Sequence, residues 1–275
     1  MIEVRKIAGA LGAELYGADL AQPLSATMVA DIRAAWLEHL VIFFHDQTLT
    51  PDQFLRFART LGEPMEYPLL KGLPDFPEIT EVKKLEHERA NFGGIWHSDT
   101  TYLERPPMGS MLYAREVPPF GGDTLFANQY LALESLSAGM QRMLEGMVAL
   151  SSSAKADTTR TREDRMRTQA RADVPTEFLA EHPVVRTHPE TGRRALYVNV
   201  AHTVRFKDMT DAESAPLLEY LFRHQVQPEF TCRFHWRIGS LAFWDNRCTQ
   251  HNPVNDYHGY RRLMHRITLA GDAPR

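Results

Sequence analysis

From Met108 onward the chain is a series of short apolar, β-branched and aromatic runs, each cut off by Pro or Gly: 109–115, 124–127, 183–187, 195–198, 230–236, 241–244 and 263–269. Runs of this length are too short for stable helices and read as strands bounded by turns. Many short strands with only a few helical patches between them predict a mainly β chain with flanking helices, folded as a jelly roll or barrel. The segment His188-Pro189-Glu190-Thr191-Gly192 lies between two runs and reads as a hairpin turn. Helical patches are predicted over 130–150 and from Thr210, where Thr210-x-x-Glu213 forms a capping box.

The first hundred residues are more helical. After short Gly-punctuated strands over 7–20, Ser25 caps a segment with Met28, Ile32, Ala35 and Trp36 at helical spacing. Residues 41–44 read as a buried strand. Thr50, Pro51, Phe54, Phe57, Leu61 and Gly62 then supply the cap, first turn, apolar face and stop of a second helix. The stretch 151–173 is rich in Ser, Thr, Arg and Asp, and Met166 is its one large apolar residue. It cannot bury itself, so a mobile loop or an active-site lid is expected there.

Size, charge and cysteine content narrow the function classes. A chain of 275 residues fits one large domain or two small ones, and no internal repeat divides it, so 1–275 is read as one domain. A net charge of −4 gives no basic footprint, so no nucleic-acid partner is expected. The longest apolar run, 40–44, is far too short to span a bilayer, and no signal-peptide core follows Met1, so no membrane partner is expected. Cys232 and Cys248 form neither a disulfide framework nor a zinc-finger spacing; a cytoplasmic setting is expected, with Cys248 a buried structural thiol.

Three clusters carry chemistry. In Trp96-His97-Ser98-Asp99 an extended backbone would turn His97 and Asp99 to the same side, where both could reach one metal; a turn in which Asp99 caps a backbone amide is the alternative. The run 243–251 delivers His251 far down the chain. Two imidazoles and a carboxylate on one face of an octahedron leave three positions open, an arrangement that suits non-haem Fe(II) better than a closed zinc site. His202, His235, His258 and His265 compete for the third place, and spacing does not choose among them. In the strand that follows, Arg262, Met264 and Arg266 share one face and Leu263 and His265 the other. Two inward guanidiniums would be costly without anions to pair with, and a dicarboxylate with an acidic substrate would supply them. A solvated basic edge strand is the alternative.

With these clusters in place, the sequence resembles the taurine dioxygenase / 2,4-D dioxygenase (TauD/TfdA) family. The resemblance rests on Trp96-His97-Ser98-Asp99-Thr100-Thr101-Tyr102, Pro119-Phe120-Gly121-Gly122-Asp123-Thr124, Trp244-Asp245-Asn246-Arg247 through His251, and Arg261-Arg262 through Arg266, in that order. It implies a double-stranded β-helix and an Fe(II)/2-oxoglutarate-dependent dioxygenase using O2. It also implies iron ligation by His97, Asp99 and His251, and co-substrate contacts from Thr124 and Arg262, with Trp236 nearby. Arg266 would meet the substrate's acid group or lie beside the co-substrate, and the backbone near Thr100 would help anchor the acid. Members of the family form homodimers or homotetramers, so self-association is expected.

The sequence departs from the taurine-specific members at two positions. Tyr67 stands where they have a sulfonate-binding His, and Gly93 where they have an Asn. Both changes remove polar contacts and open space. Tyr67, Leu69, Leu70, Met108 and Met111 would suit a bulkier, more apolar acid. The expected substrates are small anionic organic acids (alkyl sulfonates, alkyl sulfates or aryloxyalkanoates) hydroxylated beside the heteroatom, giving succinate, CO2 and a cleaved product. A non-oxidative metal-dependent jelly-roll enzyme and a small-acid-binding protein are the competing readings; the first predicts loss of Arg262, the second a broken triad.

Overall fold

Ile42 and Phe44 face two helices while Val41 and Phe43 face a second sheet, so the short run 41–44 is buried on both sides. This two-sided burial explains a strand with no polar alternation. A computed structural model describes residues 2–155, 171, 175 and 177–275. Its strands are β1 (Glu3–Lys6), β2 (Ala13–Tyr16), β3 (Val41–Phe44), β4 (Pro64–Met65), β5 (Thr80–Lys84), β6 (Gly109–Glu116), β7 (Thr124–Asn128) and β8 (Val148–Ser152). They continue with β9 (Leu179–Pro183), β10 (Val185–Thr187), β11 (Arg194–Leu196), β12 (Thr203–Phe206), β13 (Thr231–Phe234), β14 (Leu241–Asp245), β15 (Thr249–Pro253) and β16 (Arg262–Leu269).

An eight-stranded sheet runs β1-β2-β3-β14-β6-β16-β4, with β5 also pairing β16. A three-stranded sheet, β13-β7-β15, lies across its inner face. Side chains from both sheets interleave there: Phe43 stacks on Phe234 with ring centroids 3.9 Å apart, and Phe126 meets Phe43 and Trp244 edge-on or tilted. This is the jelly-roll core, and it is continuous with the functional site. On the outer face, α1 (Ala26–His39) and α2 (Pro51–Leu61) cover the large sheet, with Trp36 stacked on Phe243 at 4.3 Å. Burying an aromatic side chain of this size contributes roughly 1.5–3 kcal/mol.

The helix signals act as expected. Ser25 Oγ accepts the Met28 N–H, and Thr50 and Gln53 close a reciprocal capping box, as Thr210 and Glu213 do for α5 (Asp211–His224). The hairpin turn also forms, since β10 pairs antiparallel with β11 around 188–192. The stretch expected to be helical over 130–150 instead breaks into α3 (Gln129–Glu134), α4 (Ala138–Leu144) and β8. Ser137 opens a new helix by accepting the Met140 N–H, and Gly146 at φ +80° turns the chain back into the strand. Likewise 183–187 divides into β9 and β10 at Val184, whose N–H bonds Met147 instead of a ladder partner. Of the 151–173 stretch, all but 151–155 and Arg171 lies outside the described residues. Among the described residues no helix is long and apolar enough to cross a membrane.

Candidate active site

His97 and His251 are far apart in the sequence and are locked together by an isolated antiparallel bridge. His97 N–H donates to His251 O at 3.1 Å and His251 N–H to His97 O at 2.8 Å. Their rings lie 4.1 Å apart. His97 Nδ1 is 2.7 Å from Ile95 O, so it carries the proton and leaves Nε2 as a lone pair aimed at Asp99, 3.7 Å away. One ligand atom from each of His97, Asp99 and His251 falls within 4.8 Å of the others.

The carboxylate is fixed from several sides. Ser110 Oγ donates to Asp99 Oδ2 at 2.5 Å, and Arg266 Nη1 lies 3.4 Å from Oδ1. Behind Ser110, Asn246 Nδ2 donates to Ser110 Oγ at 2.9 Å, while Asn246 Oδ1 accepts Trp244 Nε1–H at 2.9 Å and the Asp99 N–H at 3.3 Å. Burial alone would raise the Asp99 carboxyl, but Arg266, both histidines and the Ser110 hydroxyl hold it well below the usual carboxylate range. Burial depresses both imidazoles. Two neutral imidazoles and an ionised carboxylate are the protonation states a divalent cation requires. His251 Nδ1 is also buried without a hydrogen-bond partner. The donor set therefore fits a metal ion with open positions left over.

β16 aims its alternate residues inward as the period-two pattern requires. Arg262 and Arg266 are both buried, and Arg262 Nε and Nη2 have no partner. The Arg262 guanidinium lies 5.5 Å from the Trp236 ring, and Trp236 Nε1–H donates to Thr124 Oγ1 at 2.9 Å. Thr124, Arg262, Arg266, His97 and His251 line one small cavity of about 40 Å3, with Trp236 placed behind its wall. A second cavity, about 220 Å3, adjoins it through His97 and Arg266. Its wall includes Asp99, Tyr67, Leu69, Phe92, Tyr102 and Thr100. Arg266 sits 4.3 Å from the Tyr67 ring, and the Tyr67 and Tyr102 hydroxyls are 3.4 Å apart. Thr100 adopts φ +44°, a left-handed conformation that is strained for a β-branched residue, and its Oγ1 is buried without a partner.

Eight of the nine site residues singled out in the sequence thus line these adjoining cavities, and the ninth, Trp236, stands behind Thr124. Leu69 lines the larger one, but Leu70, Met108 and Met111 do not. On β6, Ser110 and Leu112 point inward, so Met111 faces α1 and α2 instead. Among the competing histidines, His235 bonds Asp123 at 2.8 Å, His258 is exposed and His265 is on the opposite face of β16. His202 is closer to the site. It lines the larger cavity edge-on to His97, with Nδ1 3.1 Å from Thr101 Oγ1, and burial together with His97 pushes it down to about 3. His202 was legible only as a competing ligand, not as a wall residue, and no sequence signal marked Ser110. Asn246 was visible only as part of a motif.

A second set of potential ligands, His188, Asp245 and Cys248, is otherwise engaged. Arg247 takes both Asp245 carboxylate oxygens at 2.8 Å, and His188 Nδ1 accepts the N–H groups of Glu190 and Thr191. Burial pushes the Cys248 thiol well up. This cluster is a latch that shapes the β14–β15 turn and delivers His251.

A jelly roll that gathers His97, Asp99 and His251 beside inward arginines is compatible with a metal-dependent oxygenase. The profile described as taurine catabolism dioxygenase TauD, TfdA family matches residues 3–268. The chain belongs to that family, and with it to the Fe(II)- and 2-oxoglutarate-dependent dioxygenases that consume O2. It is 36% identical to an alpha-ketoglutarate-dependent sulfate ester dioxygenase from Pseudomonas putida, over 99% of this chain and 91% of the relative. An alpha-ketoglutarate-dependent 2,4-dichlorophenoxyacetate dioxygenase from Cupriavidus pinatubonensis is 32% identical, over 93% of each chain. The crystal structure of a taurine dioxygenase from Burkholderia xenovorans superposes with a TM-score of 0.84 at 37% identity, covering 99% of this chain and 92% of that one.

Proposed function

We propose that His97, Asp99 and His251 hold the Fe(II), that Thr124 and Arg262 receive 2-oxoglutarate, and that the larger cavity binds a small organic acid with an apolar body. The observation that carries this reading is the pair of adjoining cavities, with the metal set and Arg266 at their junction. The small cavity has Arg262 unpaired and Thr124 oriented by Trp236, which suits a carboxylate. The larger one has mostly apolar walls and a single guanidinium, which suits an acid headgroup near Arg266, Tyr67 and Thr100 with its tail against Leu69 and Phe92.

Bound at the triad, Fe(II) supplies the oxidising power drawn from O2 and 2-oxoglutarate. The chain's own contribution is orientation: the acid group is tethered, the tail is boxed in, and the carbon bearing the heteroatom is held toward the metal. Alkyl sulfates are the foremost candidates, with alkyl sulfonates and aryloxyalkanoates of the same size. For an alkyl sulfate, replacing C–H by C–OH next to the ester oxygen gives a product that collapses to an aldehyde and hydrogensulfate. 2-Oxoglutarate loses its C1 as CO2 and takes the second oxygen atom of O2 into the new carboxylate of succinate, so the reaction balances.

The test begins anaerobically, by adding Fe(II) and 2-oxoglutarate to the apo-protein and recording the visible band of the chelate. Aerobic assays of the three acid classes then compare succinate with sulfate, sulfite or phenol released. Matched stoichiometry in one class supports the reading. Succinate formation that no acid of the three classes accelerates would refute the substrate assignment.

A further inference from the structure

The co-substrate cavity contains a cation that the motif pattern does not include. β5 pairs with β16 so that Lys84 lies directly opposite Arg262. Directly opposed residues of an antiparallel pair project to the same face, so both side chains point into the small cavity, and both line it. Lys84 is only 3% exposed. Its Nζ makes one long hydrogen bond, 3.5 Å to Tyr257 O, and sits 4.4 Å from the Tyr257 ring. Among the described residues, neither Lys84 nor Arg262 has a carboxylate within ion-pair distance. The cavity wall has three cationic side chains, Lys84, Arg262 and Arg266, and no Asp or Glu.

Burying two cations around one space is unfavourable unless an anion joins them. Burial also pushes the Lys84 ammonium downward, and Glu88, too far off to form an ion pair, opposes this without reversing it. The ring of Tyr257 offers the ammonium some compensation, but a π face is a weak substitute for a carboxylate.

We propose that Lys84 is a second cationic contact for the distal carboxylate of 2-oxoglutarate, acting with Arg262. The inference rests on the placement of 2-oxoglutarate in this cavity. It goes further in assigning selectivity: the pair makes the site discriminate a dicarboxylate 2-oxo acid from a monocarboxylate of the same length. Arg262 provides the fork and Lys84 a point charge from the facing strand, so the carboxylate is clamped from both sides.

The test uses the Fe(II)-loaded protein without oxygen and two probes, 2-oxoglutarate and 2-oxopentanoate, which lacks the distal carboxylate. Chelate absorbance and calorimetry give both dissociation constants for the wild type, Lys84→Met and Lys84→Gln. Either variant is expected to weaken 2-oxoglutarate by at least ~10-fold while shifting 2-oxopentanoate by less than ~2-fold. Unchanged 2-oxoglutarate affinity in a folded variant overturns the inference, as does equal weakening of both acids, which would place the effect on the metal or the fold. A wild type that binds 2-oxopentanoate as tightly as 2-oxoglutarate also overturns it. Failure of the wild type to bind 2-oxoglutarate at all brings down the proposed function itself, and that result is distinct from the others.

Discussion

Replacing Ser110 with Ala removes a single hydroxyl, yet it should measurably loosen the metal site. The Ser110 Oγ–Asp99 Oδ2 contact is 2.5 Å, the length of a charge-assisted O–H···O bond to an ionised carboxylate. Such bonds contribute about 1.5–3 kcal/mol. Without it, the Asp99 carboxylate keeps one hydrogen-bond donor, Arg266 Nη1, 3.4 Å away on the other oxygen, and can turn toward that guanidinium. Asn246 Nδ2, which donates to the same hydroxyl, loses its acceptor as well. If the lost order appears wholly in binding, metal affinity falls roughly 10–150-fold, in the range typical of residues that orient metal ligands. Mn(II) titration followed by electron paramagnetic resonance measures this directly, with circular dichroism to verify the fold. Ser110→Ala and Asn246→Ala should also be non-additive, since they break one network. A folded Ser110→Ala protein with Mn(II) affinity within about twofold of wild type would refute the orienting role, because each such bond is worth at least about tenfold.

Other substitutions test neighbouring parts of the site. Arg262→Ala should weaken 2-oxoglutarate by about 2–5 kcal/mol, read from the chelate titration. The apo-protein should melt no lower for it, because an unpaired buried guanidinium has been removed. Gly93→Ala would force a methyl to within 2.9 Å of His97 Cε1 at a residue with φ +66°, so metal affinity should drop and thermal stability fall by ~1 kcal/mol or more. Arg247 offsets the burial of Asp245 and holds its carboxyl below the unfolded value. The stability this contributes is therefore fully present above about pH 4 and is lost as pH falls toward the folded value. Asp245→Asn should flatten the acid limb of the denaturant-stability profile, and an unchanged acid limb would remove Asp245 from that account.

His97 with Asp99 and the two arginines were legible because each pair lies in a compact motif whose geometry is local, whereas His251 came only through the family resemblance, since a long-range bridge brings it to His97. His97 and Asp99 are two residues apart, and Arg262 and Arg266 alternate on one strand. Ser110 and Lys84 were not legible, because their roles depend on register between strands distant in sequence. Ser110 matters only because β6 lies beside β14, which brings Asn246 to it. Lys84 matters only because β5 meets β16 at Arg262. His202 enters the cavity from the segment before β12, and no spacing rule links it to His97. The misplaced Met111 shows the same limit on a smaller scale: a one-residue ambiguity in strand phase decides whether it faces substrate or helix.

That ambiguity also explains why β16 needs so much bracing. Four residues of extended chain cover about 13 Å, so the Arg262–Arg266 spacing sets the reach between the co-substrate cavity and the metal junction. A one-residue slip would turn Leu263 and His265 inward and lose both anion contacts together. β16 is pinned by β6 along one edge and by β5 and β4 along the other, with a bulge between Leu263 and Met264 that absorbs the extra residue in β6. Gly109, where a Cβ would lie 2.7 Å from Phe243 and 2.9 Å from Trp36, holds the end of β6 against the outer core. The hydrophobic packing of Trp36 and Phe243 is thereby coupled to the position of two guanidiniums on the far side of the sheet. Catalytic geometry and core packing are here set by one strand register, and a core substitution that shifted β6 would be felt first as weaker anion binding.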